Sequence, residues 1–250
     1  MIEAKICKFN VGGKEVTVET GKYAKQASGS AWVKVGDTVL LVTATMAPEP
    51  KPGVDFFPLT VDFEEKMSAV GKIPGGFLRK EGRPGDKAIL CSRLIDRPIR
   101  PLFPKGFRND VQIVASVLSS DQEEQPDVYA ILGASFALTL SPAPFEGPVG
   151  AVRVGRVDGQ MIINPTYQQV QKGDMNIVVA GTEDSVIMVE AGMNFATEEE
   201  IMQAVDLAQV EIKNQVAAQR QFAQECGIEK VPFVNPFDTT KLDELIKNVA

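Results

Sequence analysis

The chain has 250 residues, of which 44% are apolar and 24% are charged, and its formal net charge is −7. This is the composition of a globular protein with one large domain or two small ones, and it excludes a disordered or collagen-like chain. A transmembrane chain is also excluded, because no apolar run reaches roughly 18 residues. Histidine is absent, which excludes every catalytic dyad, general base or metal site that needs an imidazole.

Alternating polarity and β-branched residues predict a first group of strands in the N-terminal half. A tight turn at Gly36-Asp37 joins the third strand to the fourth. The predicted strands are residues 5–9, 14–19, 31–35, 38–45, 54–62 and 111–118.

Two strand pairs further along the chain predict a second sheet. They are residues 151–157 with 161–164, and residues 176–181 with 185–191. Asp158-Gly159 is a typical two-residue hairpin turn within the first pair. The sequence therefore predicts an α/β (α+β) fold in which mixed sheets pack on helices.

Three helices are predicted. Residues 127–140 are apolar on all sides and predict a buried central helix. Thr197 and Glu200 form a capping box that begins an amphipathic helix of about 28 residues, ending before Gly227. A shorter helix is expected from Asp86 to about Asp96, since Pro98 disfavours helix in the residue before it.

The end of the chain predicts a change of structure. The segment VPFVNPFDTT, residues 231–240, has the composition of a linker, and LDELIKNVA begins like another helix that is not completed. We therefore expect the natural chain to continue beyond Ala250.

The three cysteines, Cys7, Cys91 and Cys226, are odd in number, far apart and without CxxC spacing. This pattern argues against a disulfide framework or a cysteine-rich zinc site and fits a reducing cytoplasm. We interpret the three as small apolar residues of the interior.

Positive charge is concentrated in one segment. Residues 66–108 contain eleven lysines and arginines against three acidic residues, a net charge of +8, while the rest of the chain carries −15. Such a basic block is typical of a site for a polyanion such as RNA, although a solvated basic face is the alternative.

Within this block, the glycines and prolines of KIPGGFLRKEGRPG, residues 72–85, predict a loop that presents aromatic and basic side chains. An aromatic ring can stack on a base of single-stranded nucleic acid while cations neutralise its phosphates. The alternative is a surface loop whose Phe77 and Leu78 fold back into the core.

Three arginines follow in CSRLIDRPIRPLFPKGF. Arg93 and Arg97 share a helix face, and Arg100 follows the proline, so the three could grip a phosphate chain. The alternative is that Arg93 or Arg97 pairs with Asp96 or with a distant carboxylate.

Several long strings resemble the first half of the bacterial polynucleotide phosphorylase family: FFPLTVDFEEKMSAVGKIPGGFLRKEGRP, LIDRPIRPLFPKGF and FEGPVGAVRVG. The resemblance covers essentially the whole chain. It implies a ribonuclease-PH-like core over residues 1–225, a linker over 226–240 and the start of an all-helical domain at 241–250. It also implies a homotrimeric ring that degrades single-stranded RNA from its 3′ end with inorganic phosphate as co-substrate and Mg²⁺ as cofactor, in some cases with RNA-degradation partners.

In that family an aromatic-arginine loop lines the central aperture. The loop corresponds here to residues 77–80, where Leu78 replaces a second aromatic residue and Lys80 a second arginine, so base stacking would depend on Phe77 and bidentate phosphate binding on Arg79. The residues expected to contact RNA are Phe77, Leu78, Arg79, Lys80, Arg83, Arg93, Arg97 and Arg100.

The catalytic half of the family carries a serine-rich turn and the string GDMDFK, with a metal-binding aspartate and a lysine. The related string here is GDMNIV, in which Asn176 and Val178 replace both, and Gly133-Ala134-Ser135 represents the serine-rich turn. An amide is a poor ligand for a hard cation, and valine cannot neutralise phosphoryl charge. Asp174 is interpreted as a turn residue, so we expect no catalytic residue and no metal ligand in this chain, with Mg²⁺ bound by the absent second half.

Other functions stay open at this point. The chain could be a non-catalytic RNA-binding ring subunit of an exosome-like assembly, or a complete tRNA-trimming exonuclease of the ribonuclease PH type. Asn176 and Val178 argue against the second of these. A sugar-phosphate enzyme would not need the aromatic loop.

Overall fold

The computed structural model describes residues 4–235, and its first layer is a six-stranded sheet. The strands are β1 (Lys5–Val11), β2 (Lys14–Thr20), β3 (Gly29–Val35), β4 (Thr38–Pro50), β5 (Leu59–Glu65) and β6 (Asn109–Ser119). Their spatial order is β1-β2-β3-β4-β6-β5, and only β5 and β6 run parallel. The predicted strand over residues 54–62 starts later, at Leu59, since Pro58 has no N–H to donate to a sheet.

The second sheet has four antiparallel strands: β7 (Gly150–Val157), β8 (Gln160–Ile163), β9 (Met175–Gly181) and β10 (Val186–Met193). Their order is β10-β9-β7-β8, which confirms the two predicted hairpins. Asp158 and Gly159 have φ values of 51° and 77°, the positive pair that a tight hairpin of this kind needs.

Within residues 4–235 the sheets are joined by four α-helices: α1 (Asp86–Ile99), α2 (Pro126–Thr139), α3 (Tyr167–Lys172) and α4 (Glu198–Cys226). Helix α2 is buried on every side and contacts both sheets and α1 and α4, as its apolar composition predicts. Glycines allow this close packing: a Cβ on Gly133 would lie 2.6 Å from Val42 Cγ2, and one on Gly29 would lie 2.0 Å from the carbonyl oxygen of Ala137.

Helix α1 connects the parallel strands β5 and β6, and it does not stop at Asp96 as the sequence predicts. Pro98 lies inside the helix, which continues to Ile99, and the N–H of Arg100 still bonds to the carbonyl of Asp96. A proline this close to the C-terminus removes one hydrogen bond only, and the buried Pro98 and Ile99 side chains pack against the core.

Helix α4 has the predicted boundaries. Thr197 and Glu200 form the capping box, and Gly227 ends the helix in the left-handed conformation, with φ of 64°. The helix predicted from residue 241 onward lies outside the described residues. None of the helices within residues 4–235 combines the length and apolar character needed to cross a membrane.

Candidate nucleic-acid interface

A basic loop, residues 71–85, projects between a 3₁₀ turn (Met67–Val70) and α1. Gly71, with φ of 69°, ends the turn and starts the loop. The loop is tied back to Met67 twice: the Glu81 carboxylate accepts the N–H of Met67 at 2.9 Å, and the N–H of Lys72 donates to the Met67 carbonyl at 3.0 Å. At its tip Arg79 adopts φ of 49° and its N–H bonds to the carbonyl of Gly76 at 2.9 Å, which closes a tight turn.

The side chains at the tip of the basic loop face solvent. Phe77 is 101% exposed and Leu78 is 73% exposed, so the alternative in which they fold back into the core is wrong. Four cationic side chains of the loop have no hydrogen-bond or ion-pair partner among residues 4–235: Lys72, Arg79, Lys80 and Arg83. The loop therefore presents an aromatic ring and unpaired positive charge together.

One side-chain cluster joins the end of β5, before the basic loop, to the start of α1, after it. Lys87, two residues after the loop, donates to both carboxylate oxygens of Glu65 at 2.9 and 3.3 Å and to the hydroxyl of Tyr167 at 3.3 Å. Its ammonium also lies 5.4 Å from the centre of the Tyr167 ring. Burial alone would lower the pKa of Lys87, but the contacts with Glu65 and Tyr167 outweigh it and raise the pKa above its ordinary value.

The three arginines of α1 and its end lie on one exposed face of the helix, but they differ in what they contact. Arg97 pairs with Glu190 of β10 at 2.8 Å. Arg100 binds Asp96 through two hydrogen bonds of 2.9 and 2.6 Å and donates to the carbonyls of Phe57 and Leu59.

Arg93 lies at the centre of this face, is exposed and has no polar partner within residues 4–235. The structure therefore leaves the guanidinium of Arg93 open to a phosphate, whereas that of Arg100 is already engaged by a carboxylate and two carbonyls. The pairing of Arg97 with Glu190, a distant carboxylate, is the alternative that the sequence left open for Arg97.

A cleft of about 440 Å³ lies between α1 and β10, and it contains the positions where the sequence departs from the catalytic string. Asn176 and Val178 of β9 line its wall. The Asn176 side-chain oxygen accepts from Arg153 Nη1 at 2.5 Å, and the other side of the Arg153 guanidinium is ion-paired with Asp127. Arg153 is buried, so this pair occupies the floor of the cleft rather than its mouth.

The charges of the cleft are neutralised from within the chain. Arg153 is paired with Asp127, Lys87 with Glu65, and Glu190 with Arg97. Cys91 also lines the cleft, but burial raises the pKa of its thiol to about 12, so it is not a nucleophile at neutral pH. The cleft thus offers neither excess positive charge nor an activated nucleophile.

A magnesium ion does not fit these residues. Both carboxylate oxygens of Asp174 are held by Arg156, at 2.8 and 2.9 Å, and the guanidinium holds the pKa of Asp174 below its usual value. Within residues 4–235 there is no group of three or more acidic or cysteine side chains that could surround a metal ion. An amide and a carboxylate already bound to arginines lack the free anionic oxygens that Mg²⁺ requires.

Gly133-Ala134-Ser135, which stand where the catalytic half has its serine-rich turn, belong to the helix predicted over residues 127–140. The three residues lie in the middle of α2, and the buried Ser135 hydroxyl accepts the N–H of Val149 at 2.8 Å. The residue of α2 that reaches the cleft is Asp127, in its first turn. Its partner Arg153 could have been noticed as a lone charge in the otherwise apolar string AVRVG.

Comparison with known proteins gives matches to two family models. The model described as "3' exoribonuclease family, domain 1" matches residues 12–144, and the one described as "3' exoribonuclease family, domain 2" matches residues 147–211. Rice (Oryza sativa) Rrp46 is similar in structure, with a TM-score of 0.68 over 84% of this chain and 94% of that chain. At 15% sequence identity this likeness is evidence for the fold.

Curated relatives named polyribonucleotide nucleotidyltransferase are much closer in sequence. The Heliobacterium modesticaldum protein is 57% identical over 93% of this chain and 33% of its own length, and the Geobacillus kaustophilus protein is 54% identical over 99% of this chain and 34% of its own length. The chain thus spans about a third of these relatives, in their N-terminal portion. With both domain models matched in order on a ribonuclease-PH-like fold, the chain belongs to the 3′ exoribonuclease family.

Proposed function

We propose that this chain is the RNA-guiding part, without a catalytic site, of a phosphate-dependent 3′-to-5′ exoribonuclease and polyribonucleotide nucleotidyltransferase. One observation carries the proposal: the exposed, unpaired aromatic and basic loop stands beside a cleft whose charges are all paired internally. The loop can hold RNA, and the cleft lacks the groups for phosphorolysis.

The loop suits single-stranded RNA of any sequence. Phe77 offers a ring face for base stacking, and Arg79, Lys80 and Arg83 offer charge for phosphates, and neither kind of contact reads base edges. We therefore expect binding that depends strongly on salt and weakly on sequence.

The activity of the whole protein is part of this proposal. It includes inorganic phosphate as co-substrate, Mg²⁺ bound by the second half, assembly as a homotrimer, a role in mRNA degradation and contacts with RNA-degradation machinery. A cytoplasmic location is included since all three cysteines are free thiols. The division into a core over 1–225, a linker and the start of a helical domain remains a prediction.

A second candidate function is a non-catalytic RNA-binding ring subunit. The paired charges of the cleft favour it for the 250-residue chain by itself. The same pairing argues against a complete tRNA-trimming enzyme, because Asn176, which stands in place of the metal-binding aspartate of the catalytic string, is bonded to Arg153, and Arg153 is paired with Asp127.

The test is to measure two properties of the 250-residue chain on one homopolymeric RNA. The first is phosphate-dependent release of nucleoside diphosphate in the presence of Mg²⁺, and the second is a binding titration at several salt concentrations. We expect binding without release. Release of nucleoside diphosphate would overturn the assignment of a non-catalytic half, and absence of binding at low salt would overturn the RNA-guiding role.

A further inference from the structure

A second cavity, of about 400 Å³, lies at the base of the basic loop and is separate from the loop tip. This volume is within the range of about 300–1,000 Å³ that small-molecule sites occupy. Its lining comes from four parts of the chain: the end of β5 with the 3₁₀ turn, the start of α1, the end of β6 with the residues that follow it, and the start of α3.

Part of the cavity wall is apolar and includes one aromatic ring. Met67, Val70 and Val117 supply aliphatic surface, and Tyr167, which is half-buried, supplies the ring. Tyr167 is fixed in place, because its N–H bonds to the carbonyl of Glu123 at 3.1 Å and its hydroxyl accepts from Lys87.

The charged groups at the edge of the cavity neutralise one another in ion pairs. Its two cations are already paired, Lys66 with Glu64 and Lys87 with Glu65. The side-chain amide of Gln122, by contrast, has no partner among residues 4–235, and Gln122 is held in a left-handed conformation, φ 62°, with its N–H bonded to the Ser120 hydroxyl. The cavity therefore lacks the free positive charge of a phosphate site but has a free amide donor and acceptor.

We propose that this cavity binds a nucleobase, with the ring against Tyr167 and Met67 and its polar edge at Gln122. A cavity with aliphatic surface, one aromatic wall, paired charges and one free amide matches a flat heteroaromatic ring that carries donors and acceptors at its rim. This inference rests on the proposed function, because the cavity adjoins the 3₁₀ turn and the start of α1, between which the RNA-binding loop lies. The base of a free nucleotide has the same chemistry, so the experiment must separate the two sources.

The test follows the Met67 methyl group by NMR in protein labelled at the methionine methyls. The Met67 signal is identified as the one that is missing from the spectrum of Met67→Leu. The ligands are adenosine 5′-monophosphate, ribose 5-phosphate, which lacks the base, and a single-stranded oligoribonucleotide. Tyr167→Ala removes the ring, and Tyr167→Phe is the matched variant that keeps the ring and loses only the hydroxyl.

We expect the nucleotide and the oligoribonucleotide to shift the Met67 signal and ribose 5-phosphate to leave it unchanged. Tyr167→Ala should weaken the nucleotide's effect at least about fivefold, and Tyr167→Phe should retain it. An equal shift with ribose 5-phosphate, or no shift with either base-containing ligand, overturns the nucleobase site.

The ligand titrations, together with an RNA-binding measurement, also separate this proposal from the RNA-guiding role. If the oligoribonucleotide binds, as measured on Phe77 and Arg79 variants, and the Met67 signal stays unchanged, the cavity proposal fails and the RNA-guiding role stands. If the nucleotide shifts the signal and RNA does not bind, the cavity takes a free nucleotide, and both the RNA-strand part of this inference and the proposed function are wrong.

Discussion

Phe77 is the residue on which base contact depends, because its ring has no neighbour to pack against. An aromatic side chain that is fully exposed contributes nothing to the core, so Phe77→Ala should leave the melting temperature unchanged. If the ring stacks on a base, the same change should weaken RNA binding by about 1–3 kcal/mol, roughly five- to 150-fold. A binding titration and a thermal melt on the same sample measure both.

A matched control for this change is Phe195→Ala. Phe195 is 98% exposed and lies just after β10, away from the basic loop in sequence. We expect this variant to bind RNA as the unchanged chain does. Equal loss of affinity in both variants would mean that general surface hydrophobicity, and not stacking at the loop, drives binding.

Asp174 gives a prediction about pH. Arg156 lowers its pKa below the ordinary value of 3.8, so the ionised carboxylate stabilises the fold above that value, and the contribution is lost as the pH falls through the lower, folded-state pKa. Asp174→Asn should therefore lower the melting temperature at pH 7, and its difference from the unchanged chain should shrink in acid. Asp184→Asn, at an exposed turn residue without an ion pair, is the control. A difference that stays constant with pH would contradict the ion-pair explanation.

At the scale of elements, the contact between α2 and the first sheet depends on two glycines. Gly29→Ala would place a Cβ 2.0 Å from a backbone oxygen of α2, which cannot move alone, and we expect a loss of about 1–3 kcal/mol or more in stability. The new Cβ of Gly133→Ala would clash with the side chain of Val42, so adding Val42→Ala should restore part of the lost stability. Denaturant unfolding measures both, with Gly75→Ala, where the space is open, as the neutral control. If the double variant Gly133→Ala/Val42→Ala is no more stable than Gly133→Ala alone, the clash does not involve Val42.

The elements that the sequence predicts well are those whose signals are local. The hairpin at Asp158-Gly159 and the helix begun by Thr197 follow from residues within four positions of each other, and the structure has both. The six-residue helix α3 has the same kind of local signal, a capping box of Thr166 and Gln169, and could have been predicted from it.

The part of the site that could not be predicted depends on contacts between distant residues. The pairing of Arg100 with Asp96 joins residues four positions apart, a spacing that brings side chains together on one helix face. The pairing of Arg97 with Glu190 spans 93 residues, and the contact of Arg153 with Asp127 and Asn176 requires α2, β7 and β9 to meet at one cleft. Neither follows from any local pattern, because each depends on the topology of the second sheet.

At the scale of the whole molecule, the charge is segregated in a way that its net value of −7 hides. The basic segment of residues 66–108 folds into the loop and α1, so its cations lie near one another, but only some of them are free. The lysines and arginines nearest the cleft are paired with carboxylates, and those of the loop tip are not. The field that attracts a polyanion is therefore centred on the basic loop and Arg93.

This arrangement predicts which arginines determine the salt dependence of RNA binding. Each phosphate contact on a single strand contributes about 0.7 to the slope of log affinity against log salt concentration. Arg79→Ala and Arg93→Ala remove free guanidinium groups and should each reduce the slope by about that amount, with unchanged melting temperature. Arg100→Ala removes a group already bound to Asp96 and two carbonyls, so it should lower the melting temperature and leave the slope unchanged. If Arg100→Ala reduces the slope as Arg79→Ala does while Arg93→Ala has no effect, RNA must displace Asp96, and the phosphate path runs along the end of α1 rather than across its middle.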